Sequence, residues 1–376
     1  MKYPRPPYKA DGIAIREQPM MFTSGIIELP VIEYPITPLE NFRLSYKHQT
    51  PVWAPMSMLD FDSLMVGFSN TVDVPEGEDA PPPMMWGSTE RSEFSDDFGC
   101  QWIFVPEAGG PMLRPNAKSV VEDITKWESV VKFPDLKVRD YKTSAEKYMK
   151  ESYQPGKVMH VNIGQSMTER LVALMGGYTE FLVALMVEPE ACRDFFDRFS
   201  QYYCDLIDIM FDLYPINMIT FHDDWGTEKD TFFSEKVLED LIFEPTKKFI
   251  DRIKSKGDVC VEHHCCGRME RFAPYMIDMG IDMLQIQRRA NDIPMLKEKY
   301  GDKLGFCCFT EGIEMGADVP REELLAAIRN TVDLYGAKGG NYMLVSGTGP
   351  EATWDAFFEC YCYSREYYDK ERGRDF

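Results

Sequence analysis

The stretch VCVEHHCCGRM, residues 259–269, carries an apolar alternation into two adjacent histidines and two adjacent cysteines, with a glycine directly after. The chain has only five histidines in 376 residues, and two of them stand here. Val259 and Val261 read as a buried strand. Spacing of i, i+2 at its end points the side chains of His264 and Cys266 to one side. An imidazole nitrogen beside a thiolate sulfur is a donor pair for zinc, and Gly267 lets the backbone turn without crowding it. One His-x-Cys pair also fits a buried, hydrogen-bonded core, and a tetrahedral site needs a further protein ligand.

Outward from this strand, short apolar runs alternate with longer amphipathic segments. The predicted strands are PVWAP (51–55), QWIFV (101–105), VMHVNI (158–163), MITFHDD (218–224), VCVEHH (259–264), DMLQIQ (282–287), LGFCCF (304–309) and YMLVSG (342–347). Continuous apolar runs mark strands covered on both faces, as in parallel sheets flanked by helices. Eight of them, most followed by a helix, predict an α/β fold: a single (β/α)8 TIM barrel over residues 38–376, preceded by an irregular, proline-rich arm over 1–37. An open doubly wound sheet is the alternative, but no Gly-rich dinucleotide fingerprint follows an early strand. DVPEGEDAPPPMM (73–85) reads as a loop over one face.

A barrel collects its chemistry at the C-terminal strand ends. Polar residues gather there: Asn162 and Gln165; His222, Asp223 and Asp224; His263 to Cys266; Gln285 and Gln287; Thr310 and Glu311; Ser346 and Thr348. FHDDWG (221–226) offers His222 and Asp224 as catalytic groups, with Asp223 the weaker candidate because an aspartate here can simply cap a helix. In FCCFTEG (306–312) the two cysteines read as small core residues and Glu311 as the pocket residue. Asn162, Gln165, Trp225, Gln287 and Ser346 are the expected substrate contacts.

Composition narrows the class. No apolar run is long enough to span a membrane, and the N-terminus lacks the continuous apolar stretch of a secretory signal, so a cytoplasmic protein is expected. Ten cysteines in such a chain read as reduced thiols, which suits an oxygen-poor, anaerobic setting. A net charge of −21 argues against nucleic acid or an anionic membrane as partner, and favours a protein surface with basic patches.

Taken together, ENFRLSYKHQTPVWAP, DITKWESVVKFPDL, FHDDWG, VLEDLIFEPTKKFIDRIKSKG, VEHHCCGRMERFAPYMIDMGIDMLQIQ and GGNYMLVSGTGP resemble the uroporphyrinogen decarboxylase superfamily over roughly residues 38–370. That superfamily includes zinc- and corrinoid-linked methyltransferases, and the resemblance implies a (β/α)8 barrel. Where the decarboxylases carry an arginine-bearing segment for a polycarboxylate, this chain reads PVWAPMSMLDFDSLM, with two aspartates and no Lys or Arg. A polyanion is disfavoured there. His264-x-Cys266-Gly267 resembles the zinc motif of the methyltransferases, whose further cysteine is matched here by Thr348. The resemblance therefore implies Zn2+ on His264 and Cys266, with Glu311, or His222, as the third ligand.

The function implied is transfer of a methyl group from a small donor, such as a methoxylated aromatic, to cobalt: the zinc-assisted O-demethylase component of a corrinoid system. No Asp-x-His-x-x-Gly cobalamin motif is present, so the corrinoid would be carried by a small partner protein. A homodimer is compatible with this reading. The alternative is a metal-independent decarboxylase of a small acid in the same superfamily.

Overall fold

The computed structural model describes residues 2–19, 26–66, 91–106, 110–138, 140–314 and 316–373. The acidic loop expected at 73–85 lies outside them. Among the described residues twelve strands run in order: β1 Ile15–Pro19, β2 Ile26–Pro30, β3 Phe61–Val66, β4 Ser92–Ser95, β5 Gln101–Val105, β6 Gly110–Leu113, β7 Val158–Ile163, β8 Met218–His222, β9 Cys260–Cys265, β10 Met283–Ile286, β11 Gly305–Phe309 and β12 Asn341–Leu344. Seven form one curled sheet in the order β3-β7-β8-β9-β10-β11-β12, with every pair parallel. Helices such as Pro189–Leu213, Phe243–Lys254 and Arg321–Tyr335 cover its outer face.

Six of the eight predicted strands lie in this sheet, and two do not. PVWAP forms no strand, although Pro55 O accepts from the Met343 N–H at 2.6 Å and Met56 bridges Met343 in parallel sense. QWIFV is the centre of a separate antiparallel sheet, β4-β5-β6. Only Trp102 and Phe104 of that strand are buried, which a short run of this kind does not reveal. The first strand of the curled sheet is β3, which Asp62 within it and Asp60 just ahead of it disguise. Asp62 accepts from the Tyr148 hydroxyl and from Gln154 N at 2.9 Å, and Asp60, just ahead, accepts from the Trp53 indole N–H at 2.9 Å.

The arm is less irregular than expected. β1 and β2 pair antiparallel. Ahead of them, Arg5 pairs with Glu359 at 2.6 Å and Tyr3 donates to Asp369 at 2.6 Å, which ties the arm to helix Pro350–Glu371. Cys360 and Cys362 pack inside that helix, as expected. All ten cysteines are free and nine are buried. No single helix among the described residues is long and apolar enough to cross a membrane.

The concave side of the sheet is layered because strand side chains alternate with period two. Each of the seven strands sends one residue into a small lower cluster: Phe61, Val158, Met218, Cys260, Met283, Cys307 and Tyr342. Phe42 and Tyr46 of helix Pro38–Tyr46 pack onto it from below. The capping box of Thr37 and Glu40 starts that helix by satisfying backbone N–H groups that have no partner within the helix. The apolar plug closes the N-terminal end, so chemistry is confined to the opposite one.

Candidate metal centre

Along β9 the alternation decides each role in EHHCC. His263 and Cys265 point into the helix layer. His263 stacks on Phe221 with ring centroids 4.7 Å apart, and the Cys265 sulfur accepts the Trp225 and Gly267 N–H groups, each at 3.3 Å. His264 and Cys266 meet at the open end, with His264 Nε2 3.2 Å from the Cys266 sulfur. Asp224, from the end of β8, completes a cluster whose donor atoms all lie within 4.8 Å of one another. The Cys266 N–H donates to Asp224 Oδ1 at 2.6 Å, which fixes the two strand ends relative to each other.

The neighbouring aspartates have separate jobs. Asp223 turns away and accepts the Thr168 hydroxyl at 2.6 Å, the Glu169 N–H at 2.9 Å and the Trp225 indole N–H at 2.9 Å. It thereby caps helix Met167–Met175 from outside, and its burial lifts its carboxyl to about 6. Asp224 stays with the sulfur. Glu169, which the sequence reading passed over, lies beside both aspartates, and burial together with Asp224 and Asp223 raises its carboxyl well above the ordinary range. Cys266 is the one exposed cysteine, opening at the mouth, yet the protein packed around its sulfur, with Asp224 and Glu169, pushes the thiol up to about 12. A bound cation would reverse that balance by favouring the thiolate.

His222 lies against His264 with ring centroids 4.3 Å apart. Burial and the three nearby histidines hold it well below its ordinary value, so it is neutral, and its Nε2 makes no hydrogen bond to protein. Asn162 Nδ2, Gln165 Oε1 and Gln287 Oε1 are likewise buried without protein partners. Gln165 has φ +50°, a backbone strain held by Tyr203, whose hydroxyl donates to the Gln165 carbonyl at 2.8 Å. Ser346 is half-buried after β12.

Two expected residues sit elsewhere. Trp225 is fully buried among Phe233, His263 and Phe272, with its indole N–H committed to Asp223, because the chain turns outward after Asp224. Glu311 accepts the Tyr335 hydroxyl at 2.7 Å and faces Arg288, so its carboxylate serves the helix behind β11 and is not in the cluster. In its place, Asp224 is the carboxylate whose oxygen lies within reach of His264 and Cys266. Thr348 donates to the Ala317 carbonyl at 2.9 Å.

Below the cluster lies a polar layer that the sequence reading missed apart from Gln285. His160 Nδ1 faces the Ser63 hydroxyl at 3.1 Å and its Nε2 faces Thr220 at 2.8 Å. Thr220 donates to Glu262 at 2.7 Å, as does the Tyr342 hydroxyl at 2.9 Å. Counting two residues back from Asn162, His222 and His264 along each strand locates His160, Thr220 and Glu262.

Burial depresses His160 to about 3, far below an unfolded histidine. Its stabilising contribution is therefore complete above pH 6.5 and declines as pH falls toward 3. His160→Gln keeps both hydrogen bonds without a titrating group. Between pH 7.5 and 4.5 the wild type is expected to lose about 2–3 kcal/mol more stability than this variant, read from urea midpoints at the two pH values.

Gly267 serves a close approach more than a turn. A Cβ there would lie 2.0 Å from the Gly226 carbonyl oxygen, and one at Gly226 would lie 2.6 Å from the Arg268 carbonyl. The loops after β8 and β9 thus pack backbone on backbone, with Arg268 N–H donating to the Thr227 carbonyl at 2.8 Å. Gly267→Ala must push them apart and is expected to cost about 3 kcal/mol in urea denaturation while spreading Asp224 from Cys266.

The family profile described as uroporphyrinogen decarboxylase (URO-D) matches residues 94–307, more than half of the chain. The chain belongs to that family. No curated protein sequence matches it. Among solved structures, a methyltransferase from Methanosarcina mazei is similar in fold, with a TM-score of 0.59 at 12% identity, covering 89% of this chain and 99% of that one. A protein described as a vitamin-B12-independent methionine synthase from Listeria monocytogenes aligns at a TM-score of 0.40 and 16% identity, over 63% of this chain and 71% of its own. The donor set found here, one nitrogen, one sulfur and one carboxylate oxygen at strand ends, fits zinc, which takes such ligands in a four-coordinate shell with one position left open in catalytic sites.

Proposed function

We propose that the chain is a methyltransferase of this family, moving a methyl group from a small donor to the cobalt of a partner corrinoid protein that docks over the open end of the sheet. The observation that carries this reading is the Asp224–His264–Cys266 cluster at that end. The fold shared with the Methanosarcina mazei methyltransferase supports it. We read the curled sheet as a (β/α)8 barrel over residues 38–376, with the segment ending at Met56 closing onto β12. The setting is cytoplasmic.

For a methoxylated aromatic donor, the carbon–oxygen bond breaks as the carbon–cobalt bond forms, and the leaving phenolate takes up a proton. Zinc on His264, Cys266 and Asp224 would supply a Lewis acid for that oxygen. The chain's own residues do the rest. Asn162 offers amide N–H donors, while Gln165 and Gln287 offer carbonyl oxygens, all without protein partners and so free to orient a polar substrate. His222, held neutral and packed against His264, is placed to donate a hydrogen bond to the developing oxyanion, whose proton then comes from solvent at the open end.

The test is direct. Protein purified without oxygen is mixed with a reduced corrinoid protein and a panel of methoxyarenes, methylthiols and methylamines, and the cobalt absorption is followed. Methylated cobalt with one donor class, and about one zinc per chain, is expected. Absence of both metal and methylation, with turnover of a small carboxylic acid instead, would make it a decarboxylase.

A further inference from the structure

The buried chain of hydrogen bonds beneath His264 has a direction, and the direction reaches the cluster. Thr220 and Tyr342 each have one hydroxyl hydrogen, and both give it to Glu262 Oε2, at 2.7 and 2.9 Å. The Tyr342 oxygen is then an acceptor, and Gln285 Nε2 donates to it at 3.0 Å. That contact decides the orientation of the Gln285 amide. Reversed, it would place a carbonyl oxygen against an oxygen with no hydrogen left to give. Gln285 Oε1 therefore faces His264 Nδ1, 2.5 Å away, and accepts its hydrogen. Nε2 is left with its lone pair pointing toward Cys266.

We propose that Gln285 is a positioning residue: oriented by Tyr342 and Glu262, it holds His264 in the tautomer whose Nε2 binds the cation. This deepens the zinc reading above and rests on it for its role, but the tautomer itself is a property of the metal-free chain. Imidazole ligands are commonly set by the partner of their other nitrogen, and losing that partner weakens metal binding by about 10–100-fold. Here the partner is an uncharged amide, whose polarity comes from a carboxyl group two hydrogen bonds away.

Two measurements separate the inference from the zinc reading. In metal-free protein with 15N-labelled histidine, only five imidazoles give signals, and a His264→Gln variant assigns the relevant one. Wild-type His264 is expected as the Nδ1–H form, and Gln285→Leu is expected to convert it to a mixture or to the Nε2–H form. Zinc affinity by chelator competition should fall about 10–100-fold in Gln285→Leu and about 10-fold in Tyr342→Phe. Gln285→Glu, neutral in this buried site, accepts the Nδ1 hydrogen with one oxygen and gives its own hydrogen to the Tyr342 oxygen with the other, so it should restore the affinity, and melting temperatures check that each variant is folded. A wild-type His264 in the Nε2–H form, or Gln285→Leu with wild-type zinc affinity, overturns the positioning role and leaves the metal reading intact. The expected tautomer shift in a protein that binds no zinc upholds the relay and overturns the metal reading.

Discussion

Under the proposed zinc-assisted methyl transfer, replacing Cys266 with serine is expected to abolish zinc binding and slow turnover by about three orders of magnitude, with the fold unchanged. The side chain stands exposed at the mouth and its sulfur touches His264, so serine disturbs no core packing. What it removes is the only sulfur in the cluster. A hydroxyl ionises far less readily than a thiol and is a poor zinc ligand. The adjacent Cys265 cannot substitute, because its sulfur points the other way and is held by the Trp225 and Gly267 N–H groups. Elemental analysis and the cobalt assay read the two losses separately, and the melting temperature checks that the protein is intact. A Cys266→Ser protein with full zinc and full turnover would mean that the cluster is not the site.

The largest stability effect is expected from Arg170→Met. Arg170 and Asp96 form an ion pair in which both side chains are 1% exposed, and the guanidinium lies 4.4 Å over the Phe98 ring. Asp96 also accepts the Trp102 indole N–H at 3.0 Å and the backbone N–H groups of Phe98 and Cys100. Removing the arginine leaves a buried carboxylate without its counter-charge, a change that costs about 3–5 kcal/mol. Adding Asp96→Asn should recover a sizeable part of the loss, since the amide oxygen keeps hydrogen bonds without the charge. Urea titrations of the single and double variants test this. A loss within 1 kcal/mol for the single variant would show that the pair is not what pins the β4-β5-β6 sheet to helix Met167–Met175. Because that helix carries Glu169 in its first turn, against Asp224, a partial loss of zinc affinity should accompany the change.

Much of the site is legible along the chain because a strand end leaves a local signature. His264 and Cys266 are two residues apart, and two residues is the period of a strand, so their shared face needs no knowledge of the fold. Asp224, Glu311 and Trp225 look equivalent, each just past an apolar run, yet their fates differ. The chain turns outward after Asp224, so Trp225 enters the helix layer, and Glu311 meets Tyr335 from a helix that begins ten residues later. No local spacing encodes either turn. β3 was hidden for a related reason, since Asp62 within it and Asp60 just ahead look unfit for a buried strand until Tyr148 and Gln154 satisfy the one and Trp53 the other.

The sequence alone determined that parallel strands end in metal-capable side chains, because alternation and apolar runs are properties of neighbours a few positions apart. Only the tertiary structure decided that Asp224 joins His264 and Cys266, that Asp223 caps a helix instead, and that Glu262 and Tyr342 set the polarity of Gln285. Those contacts join residues 21 to 80 positions apart, and the lateral order of the sheet brings them together.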